Sequence, residues 1–477
     1  MTANLPRLSR QGPPPKVGIV HLGPGAFFRA FNAPFTQDAM DMAGGDWGIL
    51  AVSLRSPAAR DAMGTQGGVY HAVALQSSGM AAQRINAVTD VWVAPEDPQA
   101  VIQAMANPDV LIVSLTITEK GYCRSAETGG LDIEHPDIAH DLPAPAQPAS
   151  AIGFMVAALH ARKTRGAGAF TVLSCDNLPS NGAVTRRLVL EFADLVDPDL
   201  AEWIASNATF PSTMVDRITP ATTDANLHEL AQLTGVQDKA AVFHESFRQW
   251  VIEDSFAAGR PAWDRAGAQI VPSVDAHEMM KLRCLNGTHS MLAYLGYLAG
   301  YETIAETVAD PAFARLCDRT WQEEIIPTLP SIPGEDVHAY CRTLMDRYTD
   351  TAIRHRTWQI AMDGSQKLPQ RILGTIADNL AAGRDTQCLI LAVAAWMRYV
   401  GGTDEHGTPI DVRDPLAAEL RAASTAGGTA VEKVNALLSV GSIFPEQLSQ
   451  DTAFRQTVAE AYERLDRHGA AVTVNSV

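Results

Sequence analysis

Val17-Gly18-Ile19-Val20-His21-Leu22-Gly23-Pro24-Gly25-Ala26-Phe27-Phe28-Arg29 is the stretch on which the fold turns. An apolar, partly β-branched run passes directly into Gly-x-Gly and then into residues of helical habit. Two glycines let the backbone turn tightly and approach a pyrophosphate, which then rests on the free N–H groups that open the helix. The stretch predicts the first strand-turn-helix unit of a dinucleotide-binding domain, with Val20, Gly23, Pro24, Gly25, Ala26, Phe27, Phe28 and Arg29 around the cofactor. The GxGxxG pattern is incomplete, since Phe28 stands where the third glycine belongs. A plain tight turn is the competing reading, and the motif's place at the head of an alternating strand-helix region favours the dinucleotide.

That alternation is visible downstream. Residues 48–54, 91–94, 110–115 and 169–174 read as further strands, and 149–163 as a helix with Ile152, Met155, Val156 and Leu159 on one face. Such an order predicts an α/β fold with a parallel sheet covered by helices. Beyond about residue 275 the strand-like runs thin out, and long helices are expected at 276–299 and 369–382. The expected organisation is a loose tail over 1–16, a Rossmann-type dinucleotide-binding domain over 17–272, and a mostly α-helical substrate and catalytic domain over 273–477.

The 477 residues carry 37 Lys and Arg against 54 Asp and Glu, a net charge of −17. An acidic balance of this size disfavours nucleic acid and anionic membrane surfaces as partners. Six scattered cysteines in no CxxC spacing give neither a disulfide framework nor a zinc motif, which points to a reducing, cytoplasmic setting. The first sixteen residues hold Pro13-Pro14-Pro15 and no apolar run, so no signal peptide is expected. The apolar run 389–397 is too short for a membrane span and reads as a buried helix.

Four places carry chemistry. Val52-Ser53-Leu54-Arg55-Ser56, at the end of the second strand, lacks the acid that would bind an adenosine 2′-hydroxyl, whereas Arg55 suits a 2′-phosphate, so NAD and NADP both stay open here. Lys281, Asn286 and His289 fall at roughly 0°, 140° and 80° on one helix, so a broad face presents an amine, an amide and an imidazole. Asn177 follows a sheet strand at its carboxyl end, where open α/β sheets bind ligands. Asn181 reads as a turn or cap residue, and Glu119, at another strand end, as a carboxylate standing behind the site. The loop holding Asp132, Glu134, His135, Asp137, His140 and Asp141 lacks metal-ligand spacing and reads as solvated, so no metal is expected. A nucleophile elbow and a Walker A sequence are both absent, which leaves hydrolase and kinase readings without an anchor.

Taken together, Gly-Pro-Gly-Ala-Phe-Phe-Arg-Ala (23–30), Thr-Glu-Lys-Gly-Tyr (118–122), Ser-Cys-Asp-Asn (174–177), Phe-Pro-Ser-Thr-Met-Val-Asp-Arg-Ile-Thr-Pro (210–220) and Lys-Leu-Arg-Cys-Leu-Asn-Gly-Thr-His-Ser (281–290) resemble the mannitol dehydrogenase family of long-chain polyol dehydrogenases and fructuronate reductases. The block 361–369 adds a C-terminal match. The resemblance implies a Rossmann-type domain, a helical domain, a cleft between them, and metal-independent hydride exchange with NAD(H) or NADP(H). It assigns Lys281 as general acid/base, Asn177 and Asn286 as amides stabilising the oxyanion, and His289 as the group orienting the substrate. Asp216 and Lys367 match further substrate positions, while Gln359 replaces an arginine common in mannitol-oxidising members.

The run 285–301 and Gln359-Ile360-Ala361-Met362 look closer to the fructuronate reductase branch. Reduction of fructuronate to mannonate is therefore the leading expectation, with a mannitol or arabinitol 2-dehydrogenase as the alternative. Either partner is a small sugar acid or polyol. Lys367 is expected just ahead of a helix opened by Pro369, where free N–H groups and an ammonium would hold a substrate carboxylate. A catalytically silent dinucleotide sensor would need no lysine-amide constellation.

Overall fold

The structure, a computed structural model, describes residues 5–125 and 127–477. It divides into two compact units, Met1–Asp275 and Ala276–Val477. All the named strands of the described residues lie in the first: β1 (Val17–Leu22), β2 (Gly48–Ser53), β3 (Tyr70–Gln76), β4 (Gly79–Ile85), β5 (Val88–Val93), β6 (Ile112–Leu115), β7 (Thr171–Ser174), β8 (Thr213–Asp216), β9 (Val242–Glu245), β10 (Gln249–Glu253) and β11 (Gln269–Val271).

Five of them form a parallel sheet in the order β5-β2-β1-β6-β7, and these five are the strands expected from sequence. The order reverses direction between β1 and β6, the point at which ligands bind in such sheets. Successive side chains point to opposite faces, so Val20 and Leu22 enter one core while Ile19 enters the other. The first core is closed by the helix Ala151–Thr164, whose N-terminus is capped by the Ser150 hydroxyl accepting from the Gly153 N–H.

Six strands escaped the sequence reading. They make two three-stranded sheets, β11-β10-β8 and β4-β3-β9. Alanine at 72, 74, 81 and 82 gives β3 and β4 little intrinsic strand preference, and pairing with distant segments decides them. The expected loose tail is also corrected. Leu8 is buried and its N–H donates to the Gln237 carbonyl, and Arg10 donates to the carbonyls of Gly67, Asn86 and Val88. Buried apolar area and a guanidinium with several acceptors hold this stretch in place; residues 1–4 of that expected tail lie outside the described residues.

In the second unit the helix Gln387–Val400 is buried over nearly its whole surface and packs against Thr288–Leu298 and Thr452–Asn475. No helix among the described residues is long and apolar enough to cross a membrane. The six cysteines are all buried and unpaired.

Two helices differ from expectation in an informative way. Asp275–Met280 and Thr288–Leu298 are joined by a π-helical segment, Lys281–Gly287. The helix expected to open at Pro369 opens at Gly364 instead, and Pro369–Leu373 is a second π-helical segment inside it. Proline supplies no N–H and its ring crowds the preceding turn, so the helix widens there rather than starting. Gly287 lets the two widened segments touch: a Cβ on it would meet the Arg371 carbonyl oxygen at 2.8 Å.

Candidate active site

In the first unit, the chain leaves β1 through Gly23, whose φ of +91° favours glycine. Its N–H donates to the Val52 carbonyl at 2.9 Å, and a Cβ on it would strike the Thr116 carbonyl oxygen at 2.3 Å. Close approach of the ends of β1, β2 and β6 thus depends on this one residue. A cavity of about 500 Å³ opens at these ends, of a size that takes a nucleotide. Gly23, Pro24, Gly25, Arg29 and Arg55 line it.

Four other expected cofactor residues have different surroundings. Val20 is fully buried in the sheet core, and Phe28 is buried with its ring stacked 3.8 Å from that of His21. Phe27 packs on Phe31, their rings 4.9 Å apart, and Ala26 is exposed at the start of its helix. Phe28 therefore fills with an aromatic contact the space that a third glycine leaves for close helix-strand packing. His21 bonds Ser114 Oγ at 2.8 Å and Thr116 Oγ1 at 2.9 Å, and burial pulls its imidazole down to about 3.

Beyond β6 and β7, Asp176 clamps the neighbouring loop: its carboxylate accepts from the N–H groups of Ile117 and Thr118, each at 2.9 Å, and from the Tyr122 hydroxyl at 2.8 Å. This holds Thr118 at φ 63°, ψ 163°, a conformation that belongs to glycine and costs a threonine about 1–3 kcal/mol. Asn177, next to the clamp, is exposed at the carboxyl end of β7, and Glu119 is exposed beside Thr118. Asn181, read as a turn or cap residue, opens the helix Asn181–Val196 behind the capping Ser180, and its amide instead ties Asp176 to Thr213 through both ends. Asp216 is buried at the end of β8, opposite Gln249.

In the second unit the π-helical segment changes the expected geometry. A π-helix brings residues i and i+5 into register, so Asn286 stands one turn above Lys281 instead of about 140° around the axis. The widened turn is held open from outside: Trp321 Nε1 donates to the Cys284 carbonyl and the Tyr348 hydroxyl to that of Leu285, both at 2.9 Å. Lys281 is 8% exposed. His289 Nε2 lies 3.3 Å from His355 Nδ1, and its ring stacks on Tyr348. Loss of solvent first, then the charges of His355, Arg371, Arg347 and Lys367, holds His289 well below the usual imidazole range.

Sequence reasoning missed three members of this crowd, Arg347, His355 and Arg371. Arg371 lies in the second widened segment and donates to Ser290 Oγ at 3.1 Å. Lys367 sits within its helix, not ahead of one, and donates to the carbonyls of Met362 at 2.5 Å and Ile360 at 3.4 Å, which corrects the helix-terminus anion site expected there. Gln359 is exposed on the short turn Thr357–Ile360.

The acidic loop is also more ordered than read. Asp141 is buried and accepts from the N–H groups of Ala149 and Ser150, and Asp137 is ion-paired to Arg55. Cys123, His135 and Asp137 bring possible ligand atoms within 4.8 Å of one another.

The depressed histidines give an acid-side signature. His21, His244, His277, His289 and His355 all have folded values below the ordinary 6.5, chiefly through desolvation. Below that value the unfolded chain binds protons that the folded chain refuses, so stability falls as pH falls. Asp176, Glu324 and Glu405, raised chiefly by burial, oppose this slope, three groups against five. Thermal melts should show Tm dropping steadily from pH 7 to pH 5; a flat Tm over that range contradicts the assignment.

A parallel sheet with a nucleotide-sized cavity at its switch point, followed by a helical unit, defines the class as Rossmann-type. The mannitol dehydrogenase Rossmann domain matches residues 17–265 and the mannitol dehydrogenase C-terminal domain residues 273–466. The chain belongs to the mannitol dehydrogenase family of oxidoreductases.

Among its relatives, the D-mannonate oxidoreductase of Escherichia coli (strain K12) is 46% identical over 456 residues, covering 95% of this chain and 94% of that one. The mannitol 2-dehydrogenase of Phaeosphaeria nodorum is 42% identical over 476 residues, covering 98% and 82%. The Pseudomonas fluorescens mannitol 2-dehydrogenase, solved as a ternary complex with NAD and D-mannitol, superposes with a TM-score of 0.85 at 37% identity, covering 99% of this chain and 97% of that one.

Proposed function

We propose that the chain exchanges hydride between NAD(H) and the CH–OH group of a sugar acid, reducing fructuronate to mannonate. The observation that carries the sugar-acid reading is the cationic surround of His289, made by Arg347, Arg371 and Lys367. A keto uronate brings a carboxylate to such a place, and guanidinium-carboxylate hydrogen bonds are about twice as strong as the neutral ones a ketose would gain. Similarity to a D-mannonate oxidoreductase over 95% of the chain supports the same choice, and the NAD in the mannitol 2-dehydrogenase complex supports the cofactor.

The Gly23 turn and the cavity at the ends of β1, β2 and β6 suit a dinucleotide. When bound, the nicotinamide gives or takes the hydride. Lys281 removes the hydroxyl proton as hydride leaves carbon and returns it to the carbonyl oxygen in reduction, so the reaction needs no metal. The amides of Asn177 and Asn286 donate to the developing alkoxide, a role in which loss of one donor costs about 3 to 4 kcal/mol of barrier. Neutral His289 orients a substrate hydroxyl, Asp216, Lys367 and Gln359 stand on the substrate side, and Glu119 passes the proton towards solvent.

The mannitol 2-dehydrogenase relatives favour a second reading, oxidation of a neutral polyol. Steady-state rates over 2-keto uronates, 2-keto sugars and polyols, with both nicotinamides, separate the two. Higher kcat/KM for fructuronate than for fructose is expected, and the reverse order assigns the chain to the polyol dehydrogenases.

A further inference from the structure

The end of β2 offers no acid for the adenosine ribose, yet the cavity there has one carboxylate among its lining residues, and a distant segment delivers it. Asp137, in the first turn of the helix Pro136–Asp141, reaches the cavity wall and is ion-paired to Arg55. The Asp137 side chain is 13% exposed and that of Arg55 is 69% exposed, so the carboxylate is the fixed partner and the guanidinium the movable one.

The two groups have opposite preferences. A 2′-hydroxyl donates to a carboxylate, whereas a 2′-phosphate is repelled by it and is drawn to a guanidinium. While Asp137 holds Arg55, the guanidinium at the end of β2 is already neutralised, and a negative charge stands in the cavity wall beside it. We propose that Asp137 is the residue that makes the enzyme prefer NAD to NADP, acting both as the acid missing from β2 and as the group that keeps Arg55 occupied. Arg55 on its own favours NADP, and the choice between cofactors lies in one ion pair between segments 82 residues apart.

The inference rests on the nicotinamide reading above, and direct binding tests it without turnover. Dissociation constants for NADH and NADPH are measured by fluorescence titration, with no sugar present, for the wild type, Asp137→Asn, Arg55→Ala and the double variant. Wild type should bind NADH more tightly. Asp137→Asn should shift the NADH-to-NADPH preference at least about tenfold towards NADPH, because like-charge repulsion is removed and Arg55 is released. In the Asp137→Asn background, Arg55→Ala should cancel the NADPH gain. A ratio within about twofold of wild type in Asp137→Asn, or an NADPH gain that survives loss of Arg55, overturns the proposal while leaving the nicotinamide reading intact. A wild type that binds neither nucleotide overturns both.

Discussion

Lys281→Ala is expected to lower kcat at least about a hundredfold while leaving NADH affinity within a few-fold, the scale of a lost general acid/base. Lys281 is the one lysine in the helix that runs from Asp275 to Leu298, it is nearly buried, and the widened turn stacks Asn286 above it. An amine and an amide at that spacing can address one oxygen, the first moving its proton and the second stabilising its charge. Lys281→Arg separates proton transfer from charge: a guanidinium keeps the cation but does not give up its proton, so it should be as inactive as alanine. Retention of more than about a tenth of kcat in either variant removes the role.

The second large effect is expected at Arg371. Truncating one partner of a buried, hydrogen-bonded charge pair costs about 2–5 kcal/mol, so Arg371→Met should raise KM for fructuronate at least about thirtyfold. Fructose, which has no carboxylate, should change by less than about threefold. Arg371→Lys keeps the charge without the fork and should recover part of the loss. An equal effect on both substrates, with Tm falling in parallel, would show that Arg371 only holds the widened segment against Ser290. The carboxylate assignment would then be lost.

Much of the fold was legible because its signals are local. The five strands of the parallel sheet are short apolar runs whose side chains alternate between two cores, and that pattern exists in the chain before any contact is made. β3 and β4 were not legible, because their alanines express no strand preference until β9 pairs with β3 from more than a hundred residues away. The same division runs through the site. Gly23, Lys281, Asn177 and Asn286 stand in motifs that can be read along the chain. Arg347, His355 and Arg371 stand in none of the motifs singled out along the chain.

The sequence by itself determined the five strands of the parallel sheet, the glycine turn after β1, and the residue types proposed for proton transfer and oxyanion binding, all through signals within a few residues. Tertiary structure alone decided three things. Trp321 and Tyr348 satisfy carbonyls that a widened helix leaves free, and so fix the register of Lys281 and Asn286. Pro369 widens a helix instead of opening one, which leaves Lys367 within a helix bonded to the Met362 carbonyl and sets Arg371 against Ser290. Asp137 meets Arg55, giving the end of β2 the acid its own segment lacks. Each joins groups far apart in the chain, where spacing along the sequence carries no information and only packing brings the charges and hydrogen-bonding groups together.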